Sequence, residues 1–173
     1  GAGIVDWAAV LAEKTRMKIL VAGSSGLIGS ALTSSLSAAG HQVVRLVRFA
    51  AAPSAKEIFW NPEARVLDYN RLEGLDAVVH LAGDNLAGGR WTAEKKARIR
   101  TSRVDSTRLL CESLARLSRP PAVLASASGV GFYGSRGSET LTEESSSGDG
   151  FLAQVCREWE TAATPALEKG IRV

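Results

Sequence analysis

The stretch MKILVAGSSGLIG, residues 17–29, decides the fold. Its first six residues form a short, mostly apolar run, which is typical of a strand buried on both faces of a parallel sheet. Glycines follow at positions 23, 26 and 29, and a helical pattern then runs to residue 39, where Gly40 ends it. A strand, a glycine-rich turn and a helix in this order predict the first unit of an alternating α/β domain.

The rest of the chain continues the alternation of strands and helices. Further strands are predicted at 42–47, 56–60, 66–69, 76–81 and 122–127. Further helices are predicted at 92–117 and 151–169, with an irregular loop at 129–150 and the start of another strand at 171–173. Because crossovers between parallel strands are right-handed, we predict a Rossmann-type doubly wound parallel sheet, strand order 3-2-1-4-5, with helices on both faces.

Length and composition indicate about one globular domain. The chain has 173 residues, of which 45% are hydrophobic and 23% are charged. No apolar run approaches the ~20 residues of a membrane helix, and the N-terminus lacks the layout of a signal peptide. Residues 4–14 read as a short amphipathic helix. We therefore divide the chain into an N-terminal extension or linker helix, 1–16, and a Rossmann domain, 17–173.

The charge and the metal-binding residue types exclude several classes of site. Residues 90–119 hold nine basic and three acidic residues, a pattern that attracts nucleic acid or phosphorylated small molecules but is most often a solvated helix face. Trp91 is the only aromatic residue among them, so we predict no nucleic-acid partner. With only two histidines and two cysteines in the whole chain, we predict no zinc site. Cys111 and Cys156 fall on inward helical stripes, and we predict unpaired thiols in a cytoplasmic protein.

The three spaced glycines indicate a dinucleotide site, because they separate a predicted strand from a predicted helix. Gly23 permits a tight turn, Gly26 lets the backbone approach a pyrophosphate, and Gly29 lets the helix pack closely against the strand. The helix N-terminus offers free N–H groups and a partial positive charge to phosphates. No Gly-Lys-Ser/Thr follows, which excludes a P-loop. An ordinary strand-to-helix turn would leave the spacing unexplained.

The end of the second strand indicates which dinucleotide is bound. An NAD site usually has an acidic residue about 20 residues beyond the glycines, but none occurs between Gly29 and Glu57. Arg48 stands there instead, and a guanidinium suits a 2′-phosphate through bidentate contact and stacking on adenine. We therefore predict NADP(H), with NAD(H) as the less favoured cofactor. A surface arginine without a ligand is the alternative left open.

Several motifs together resemble one protein family. They are VAGSSGLIG at 21–29, HLAGDNLAGGRW at 80–91, KARIRTSRVDST at 96–107, SASGVGFYG at 126–134 and FLAQVCREWE at 151–160. The combination resembles the extended short-chain dehydrogenase/reductase superfamily, and within it an atypical epimerase-family branch of NADP-binding proteins with largely undefined substrates. The resemblance covers residues 17–173. Because members continue through a sixth strand and a C-terminal substrate lobe, it implies that this chain is truncated and lacks both.

The resemblance also implies a set of cofactor-binding residues. Arg48 falls on the 2′-phosphate position. Arg103 replaces an asparagine that is usual in the superfamily, and it either reaches back towards cofactor or substrate or is an exposed helix arginine. The remaining residues, on the pyrophosphate loop and after the fourth parallel strand, are Gly23, Ser25, Gly26, Leu27, Ile28, Gly29, Leu81, Ala82 and Gly83.

The acid/base pair usual in the superfamily is absent. That chemistry uses a tyrosine that exchanges a proton with substrate and a lysine four residues later that lowers the phenol pKa. Neither Tyr69 nor Tyr133 is followed by a lysine at this spacing. When the family helix is aligned on Glu160, Leu152 occupies the tyrosine position and Cys156 the lysine position.

Ser128 and Tyr133 remain as candidate catalytic residues near the nicotinamide end. SASGVGFYG carries one residue more than the usual serine-to-tyrosine spacing, so Ser126 is an alternative to Ser128. A phenol without a cationic neighbour titrates near pH ~10 and is a poor acid or base at neutral pH. A packed loop aromatic is therefore the favoured interpretation of Tyr133, and a buried inert thiol that of Cys156.

We predict an NADP(H)-binding, epimerase- or dehydrogenase-like oxidoreductase that acts on an unknown sugar-like or carbonyl substrate. The alternative is a non-catalytic NADP(H)-binding sensor or protein-interaction module, which the missing acid/base pair favours. The expected partner is a small-molecule substrate, with neither nucleic acid nor a membrane. The sequence leaves the oligomeric state open, a homodimer included.

Overall fold

The computed structural model describes residues 16–49 and 54–173, and the helix predicted at 4–14 lies outside them. The strands are β1 (Lys18–Ala22), β2 (Gln42–Val47), β3 (Glu57–Asn61), β4 (Val66–Leu67), β5 (Ala77–His80) and β6 (Val123–Ser126). The helices are α1 (Leu27–Ala38), α2 (Ala93–Thr101), α3 (Val104–Ala115), α4 (Phe151–Thr161) and α5 (Thr164–Glu168), with 3₁₀ turns at Tyr69–Leu72 and Val130–Tyr133.

The strands form one sheet in the order β4-β3-β2-β1-β5-β6. All neighbouring strands are parallel except β3 and β4, which are antiparallel. The five parallel strands follow the predicted 3-2-1-4-5 order. The strand predicted at 66–69 is shortened to the two-residue β4, which adds an antiparallel edge that this order did not include. It arises because the chain reverses after β3, where Arg65 has a φ of 53° and Asn61 Oδ1 accepts a hydrogen bond from Ala64 N at 3.1 Å.

Helices cover the sheet on both faces, and β1 shows this in its alternating side chains. Leu20 and Ala22 belong to the larger core, together with Leu110 and Leu114 of α3. Ile19 and Val21 face the opposite side and pack with Leu36 of α1. This alternation across a doubly covered strand confirms the predicted Rossmann-type arrangement. Beyond β6, Arg172 forms a single parallel bridge with Val123, where the sequence predicts another strand.

The two long helices predicted from the sequence are each divided, so both predictions were wrong in this respect. The first is divided at Ser102–Arg103, where the hydroxyls of Ser102 and Ser106 donate to the carbonyls of residues 99 and 102 at 3.1 and 2.7 Å. Such bonds compete with the regular helix ladder. The second is divided between α4 and α5, where Pro165 lies in the first turn of α5 and has no N–H to continue the preceding helix.

Three general properties follow from the described residues. None of their helices combines the length and the apolar composition needed to cross a membrane. No group of histidine, cysteine, aspartate or glutamate side chains among them has an arrangement that could hold a metal ion. Cys111 and Cys156 are both buried, free thiols.

Candidate functional site

The glycine-rich turn is shaped by two contacts that exclude side chains. Gly23 has a φ of +80°, and a Cβ there would lie 2.7–2.8 Å from the backbone of Leu81 and Ala82. A Cβ on Gly29 would lie 2.1 Å from the carbonyl oxygen of Gly23. The turn after β1 therefore packs directly against the backbone after β5 and against the first turn of α1. Both contacts require glycine.

The N-terminus of α1 presents an open surface beside this turn. Gly26 precedes the helix without a side-chain cap, and the first turn has no acidic residue. A Cβ on Gly26 would meet only the carbonyl oxygen of Gly23, at 3.4 Å. Leu27 and Ile28 are 91% and 68% exposed, and Ser25 beside them is exposed too. An anionic ligand at this end of the helix would meet free backbone N–H groups and a partial positive charge.

Arg48 follows β2 at the same edge of the sheet. Ala22 pairs with Leu46, so the residues after both strands leave the sheet side by side. Arg48 is exposed and forms no ion pair with the residues the structure describes. The nearest following acid, Glu57, is paired with Arg45 instead. The guanidinium of Arg48 is therefore not neutralised by a described carboxylate.

The loop after β5 is fixed to α2 through Asp84. Lys95, which is only 8% exposed, donates from Nζ to Asp84 Oδ2 at 2.9 Å, and the backbone N–H of Asp84 donates to Ser102 Oγ at 2.9 Å. The hydrogen bond from Lys95 holds the pKa of the Asp84 carboxyl below its ordinary value. Within this loop Leu81 and Ala82 are half-buried and Gly83 is exposed. Arg103 lies half-buried against Gly83 rather than on an exposed helix face.

Ser128 is exposed two residues after β6, and its hydroxyl is already engaged. Ser128 Oγ donates to Glu160 Oε1 on α4 at 2.6 Å. Because this bond uses the only proton, the oxygen can accept from a ligand but can donate only if the bond opens. Ser126, the alternative serine, is half-buried and donates weakly to the carbonyl of Ala127 at 3.4 Å. The hydroxyl of Ser126 is therefore more available than that of Ser128 to donate a hydrogen bond to a ligand.

Tyr133 ends the second 3₁₀ turn in a closely packed loop. Its ring meets that of Phe132 edge to face, with 5.3 Å between centroids. A Cβ on Gly148 would lie 2.0 Å from the carbonyl oxygen of Tyr133, and the N–H of Gly148 donates to the carbonyl of Phe132 at 2.9 Å. The phenol hydroxyl donates no hydrogen bond to any described residue. The structure thus fixes the backbone of Tyr133 and leaves its hydroxyl available.

Two other polar side chains near these strand ends are buried. Cys156 Sγ lies 3.6 Å from the carbonyl oxygen of Gly129, and burial raises the pKa of its thiol. His80, at the end of β5, is fully buried, and burial lowers the pKa of its imidazole to about 4. Neither side chain is exposed to a ligand in this arrangement.

Sequence analysis missed three residues of this region. Lys95 and Asp84 form a partly buried ion pair, although the sequence predicts a solvated helix face for most basic residues of this segment. The available signal was that Lys95 precedes the fully buried Ile99 by four residues, and so shares its helix face. Glu160 served only to align the helix, and its contact with Ser128 depends on how α4 approaches the end of β6.

Comparison with known proteins supports one family. The model of the NAD dependent epimerase/dehydratase family matches residues 19–154. An epimerase family protein of Mycobacterium tuberculosis is 47% identical over 155 residues, which cover 90% of this chain and 50% of that protein. The chain thus spans about half the length of the curated relatives it matches.

Two solved structures have a similar fold. A nucleoside-diphosphate sugar epimerase from Corynebacterium glutamicum has a TM-score of 0.78 and 42% identity, over 93% of this chain and 33% of that one. A human epimerase family protein, whose crystal structure is with NADPH, has a TM-score of 0.71 and 33% identity, over 85% of this chain and 48% of that one. These relatives confirm the family resemblance of the sequence motifs. The chain therefore belongs to the NAD dependent epimerase/dehydratase family.

Proposed function

We propose that this chain binds NADP(H) and is the dinucleotide-binding part of an oxidoreductase or epimerase-like enzyme with a sugar-like or carbonyl substrate. The observation that carries the proposal is the glycine-rich turn. Gly23 and Gly29 are held by close backbone contacts, and the uncapped N-terminus of α1 lies open beside them. A cradle that excludes side chains at a helix N-terminus suits a pyrophosphate.

The residues present fit a dinucleotide along the carboxyl edge of the sheet. Gly23, Ser25, Gly26, Leu27, Ile28 and Gly29 would hold the pyrophosphate, and Arg48 the 2′-phosphate. Leu81, Ala82 and Gly83 would line the nicotinamide half, with Arg103 packed against Gly83. The unneutralised guanidinium of Arg48 and the human relative with NADPH both support NADP(H). NAD(H) is the less favoured cofactor, although a more distant solved structure, at 24% identity, is a complex with UDP-glucose and NAD.

The bound cofactor would supply hydride transfer, and the chain's own residues would orient the substrate and move its proton. We assign these roles to Ser128 and Tyr133. The hydroxyl of Tyr133 is free to donate to a substrate oxygen. Ser128 Oγ would accept a hydrogen bond from a substrate hydroxyl while it continues to donate its own proton to Glu160. Ser126 would take its place where a substrate carbonyl needs a donor.

A second candidate function is a non-catalytic NADP(H) sensor or protein-interaction module. It is favoured by the absence of the usual acid/base pair: alignment on Glu160 implies that Leu152 and Cys156 stand at the family's tyrosine and lysine positions, and Cys156 is buried. Both functions predict the same cofactor site and differ only in chemistry. In either case we expect a small-molecule ligand, no nucleic-acid or membrane partner, and a cytoplasmic location. A homodimer is compatible with both.

Two measurements test the proposal. The first is a fluorescence titration of the chain with NADPH and with NADH, in which saturable binding at one site per chain is expected. Failure of both nucleotides to bind would refute both candidate functions. The second is hydride exchange between NADPH and a panel of nucleotide sugars and carbonyl compounds, using the wild type, Ser128→Ala and Tyr133→Phe. Exchange that the substitutions reduce supports the enzyme, whereas binding without exchange supports the sensor.

A further inference from the structure

We propose that Arg103 is a positioning residue for the nicotinamide half of the dinucleotide site. Its guanidinium fixes the backbone of Gly83 and Asp84, directly after β5, against α2 and α4. The inference rests on the proposed function, because it takes Leu81–Gly83 to line the dinucleotide. The inference adds a mechanism to that function: the affinity of the site for the dinucleotide depends on the shape of the Arg103 side chain and not on its charge alone.

The guanidinium connects three separate parts of the chain. Nη2 donates to the carbonyl oxygen of Asp84 at 3.1 Å, and Nη1 donates to the carbonyl oxygen of Ile99, at the end of α2, at 3.3 Å. Its Cζ lies 5.3 Å from the ring centre of Trp159 on α4. The Trp159 ring is itself fixed, because its Nε1 donates to Thr107 Oγ1 at 2.8 Å. One side chain therefore joins the loop after β5 to two helices.

Neutralisation of Asp84 does not explain this arrangement. The Asp84 carboxylate already binds Lys95 at 2.9 Å and lies 3.7 Å from Arg98. Arg103 binds the carbonyl of Asp84 instead, so it acts on the path of the backbone. A lysine ammonium can donate to two acceptors, but it lacks the planar, rigid fork of the guanidinium, so it would not hold both carbonyls in this geometry while stacking flat on an indole. An asparagine is shorter still.

Gly83 supplies an independent reason to couple the loop to Arg103. A Cβ built on Gly83 would lie 3.2 Å from both Cζ and Nη2 of Arg103, and 3.4 Å from Nη1. The backbone of Gly83 has no positive φ, so an alanine there is restricted by the guanidinium and not by its own conformation. Because the two residues lie so close together, we expect the effects of substituting Gly83 and Arg103 on dinucleotide affinity not to be additive.

The first experiment titrates the chain with NADPH and measures thermal unfolding of each variant in parallel. We expect Arg103→Met to weaken NADPH binding by about tenfold or more, because misplaced binding groups lose affinity steeply, and we expect Arg103→Lys not to restore it. Arg108→Met is the matched control: it removes an exposed arginine of α3 that forms no ion pair with described residues, and binding should stay within about twofold. Affinities are compared below the unfolding transition of every variant.

The second experiment is a double-mutant cycle that includes Gly83→Ala. We expect Gly83→Ala to weaken NADPH binding in the wild type, and to do so by a much smaller factor in the Arg103→Met background, because the obstructing guanidinium is gone. If Arg103→Met does not fold, Arg103→Lys replaces it in the cycle. Equal factors in both backgrounds, or unchanged affinity in Arg103→Met, would overturn the inference while the proposed function stands. A wild type that binds neither NADPH nor NADH would overturn both.

Discussion

The Nε2 atom of His80 lies 3.3 Å from the hydroxyl oxygen of Ser106, and both residues are buried. Ser106 donates its own proton to the carbonyl of Ser102 at 2.7 Å. With the Ser106 proton assigned to this shorter contact, the hydroxyl oxygen accepts from His80, and the imidazole proton is assigned to Nε2. Nδ1 is then an unprotonated, buried nitrogen without a hydrogen-bond partner among the described residues. The fold thus holds His80 neutral.

This arrangement predicts an acid-dependent loss of stability. Burial lowers the pKa of His80 from 6.5 to about 4, so between these values the unfolded chain binds a proton that the folded chain does not. The free energy of unfolding should therefore be fully retained above pH ~6.5 and fall by up to about 3 kcal/mol as the pH decreases to about 4. Urea unfolding measured at intervals between pH 7.5 and pH 4.5 would follow this change.

His80→Leu is the matched variant, because leucine fills much of the same volume and does not titrate. We expect its stability to depend less on pH over this window than that of the wild type. The absolute stability at pH 7.5 is not the relevant quantity, since the substitution also changes packing beside Trp60. A pH dependence that is the same in both proteins would assign the effect to other groups.

Alanine substitutions of Gly26 and Gly29 should affect different properties, NADPH affinity for Gly26 and stability for Gly29. In Gly29→Ala the methyl group would lie 2.1 Å from the carbonyl oxygen of Gly23, so the turn must shift. The free energy of unfolding should therefore fall by about 1–3 kcal/mol. In Gly26→Ala the same contact is 3.4 Å, and the stability cost should stay below about 1 kcal/mol. NADPH affinity should nevertheless fall, because the methyl group occupies the face proposed for the pyrophosphate. Denaturant unfolding and NADPH titration of both variants measure the two effects.

Each variant has one outcome that would contradict its prediction. A Gly26→Ala variant that binds NADPH as tightly as the wild type would mean that the pyrophosphate does not approach this residue. A Gly29→Ala variant of unchanged stability would mean that the turn has room that its geometry does not show.

The elements that sequence analysis predicted correctly are those with a local signal. The positive φ of Gly23 and the contact of Gly29 with the Gly23 carbonyl both lie within one turn, and the apolar runs mark the buried strands from the local sequence alone. The contact of Gly23 with Leu81 and Ala82, which joins two strands, carries no such local signal. The helix divisions at 102–103 and 162–163 were missed because the hydrophobic periodicity continues across them. Hydroxyls bonding to carbonyls at the first, and Pro165 just after the second, interrupt the backbone without changing the pattern of buried residues.

The candidate site was predictable as a set of motifs but not as a set of contacts. Ser128 was identified from the resemblance of SASGVGFYG to the family's serine-to-tyrosine motif, whereas its hydrogen bond to Glu160 depends on the packing of α4. Lys95 carries a charge, which favours an exposed position on statistical grounds, but its ion pair with Asp84 compensates its burial. Such pairings join residues on different elements, and no periodicity in the sequence encodes them.

The two thiols should be protected in the folded chain and unequal in reactivity. Burial raises the pKa of Cys111 to about 12, and it raises the pKa of Cys156 as well, so little reactive thiolate forms at neutral pH. Cys111 is fully buried on α3, while Cys156 is 5% exposed. Ellman titration of unreduced protein should find two thiols after unfolding, and slow reaction before it, with Cys156 the faster. Cys156→Ser should remove the faster phase, and a titration that finds no free thiol after unfolding would contradict the prediction.

Arg48 should determine the preference for NADP(H) over NAD(H). A charge-assisted contact between arginine and a phosphate contributes roughly 1.5–3 kcal/mol, which corresponds to a preference of about ten- to a hundredfold at low salt. Arg48→Ala should remove most of this preference and barely change NADH affinity, because the glycine-rich turn is untouched. Higher salt should weaken NADPH binding more than NADH binding, since the additional contact is exposed and therefore screened.

The matched control is Arg45→Ala, which removes the same charge about 10 Å further back along β2, from an arginine paired with Glu57. A general electrostatic attraction would be reduced equally by either substitution, whereas a specific contact to the 2′-phosphate is lost only with Arg48. The measured quantity is the ratio of the NADPH and NADH dissociation constants in the wild type and both variants. This ratio cancels any effect that a substitution has on the turn or on the nicotinamide end. Equal affinities in the wild type, or a preference that survives Arg48→Ala, would refute the assignment of Arg48 to the 2′-phosphate.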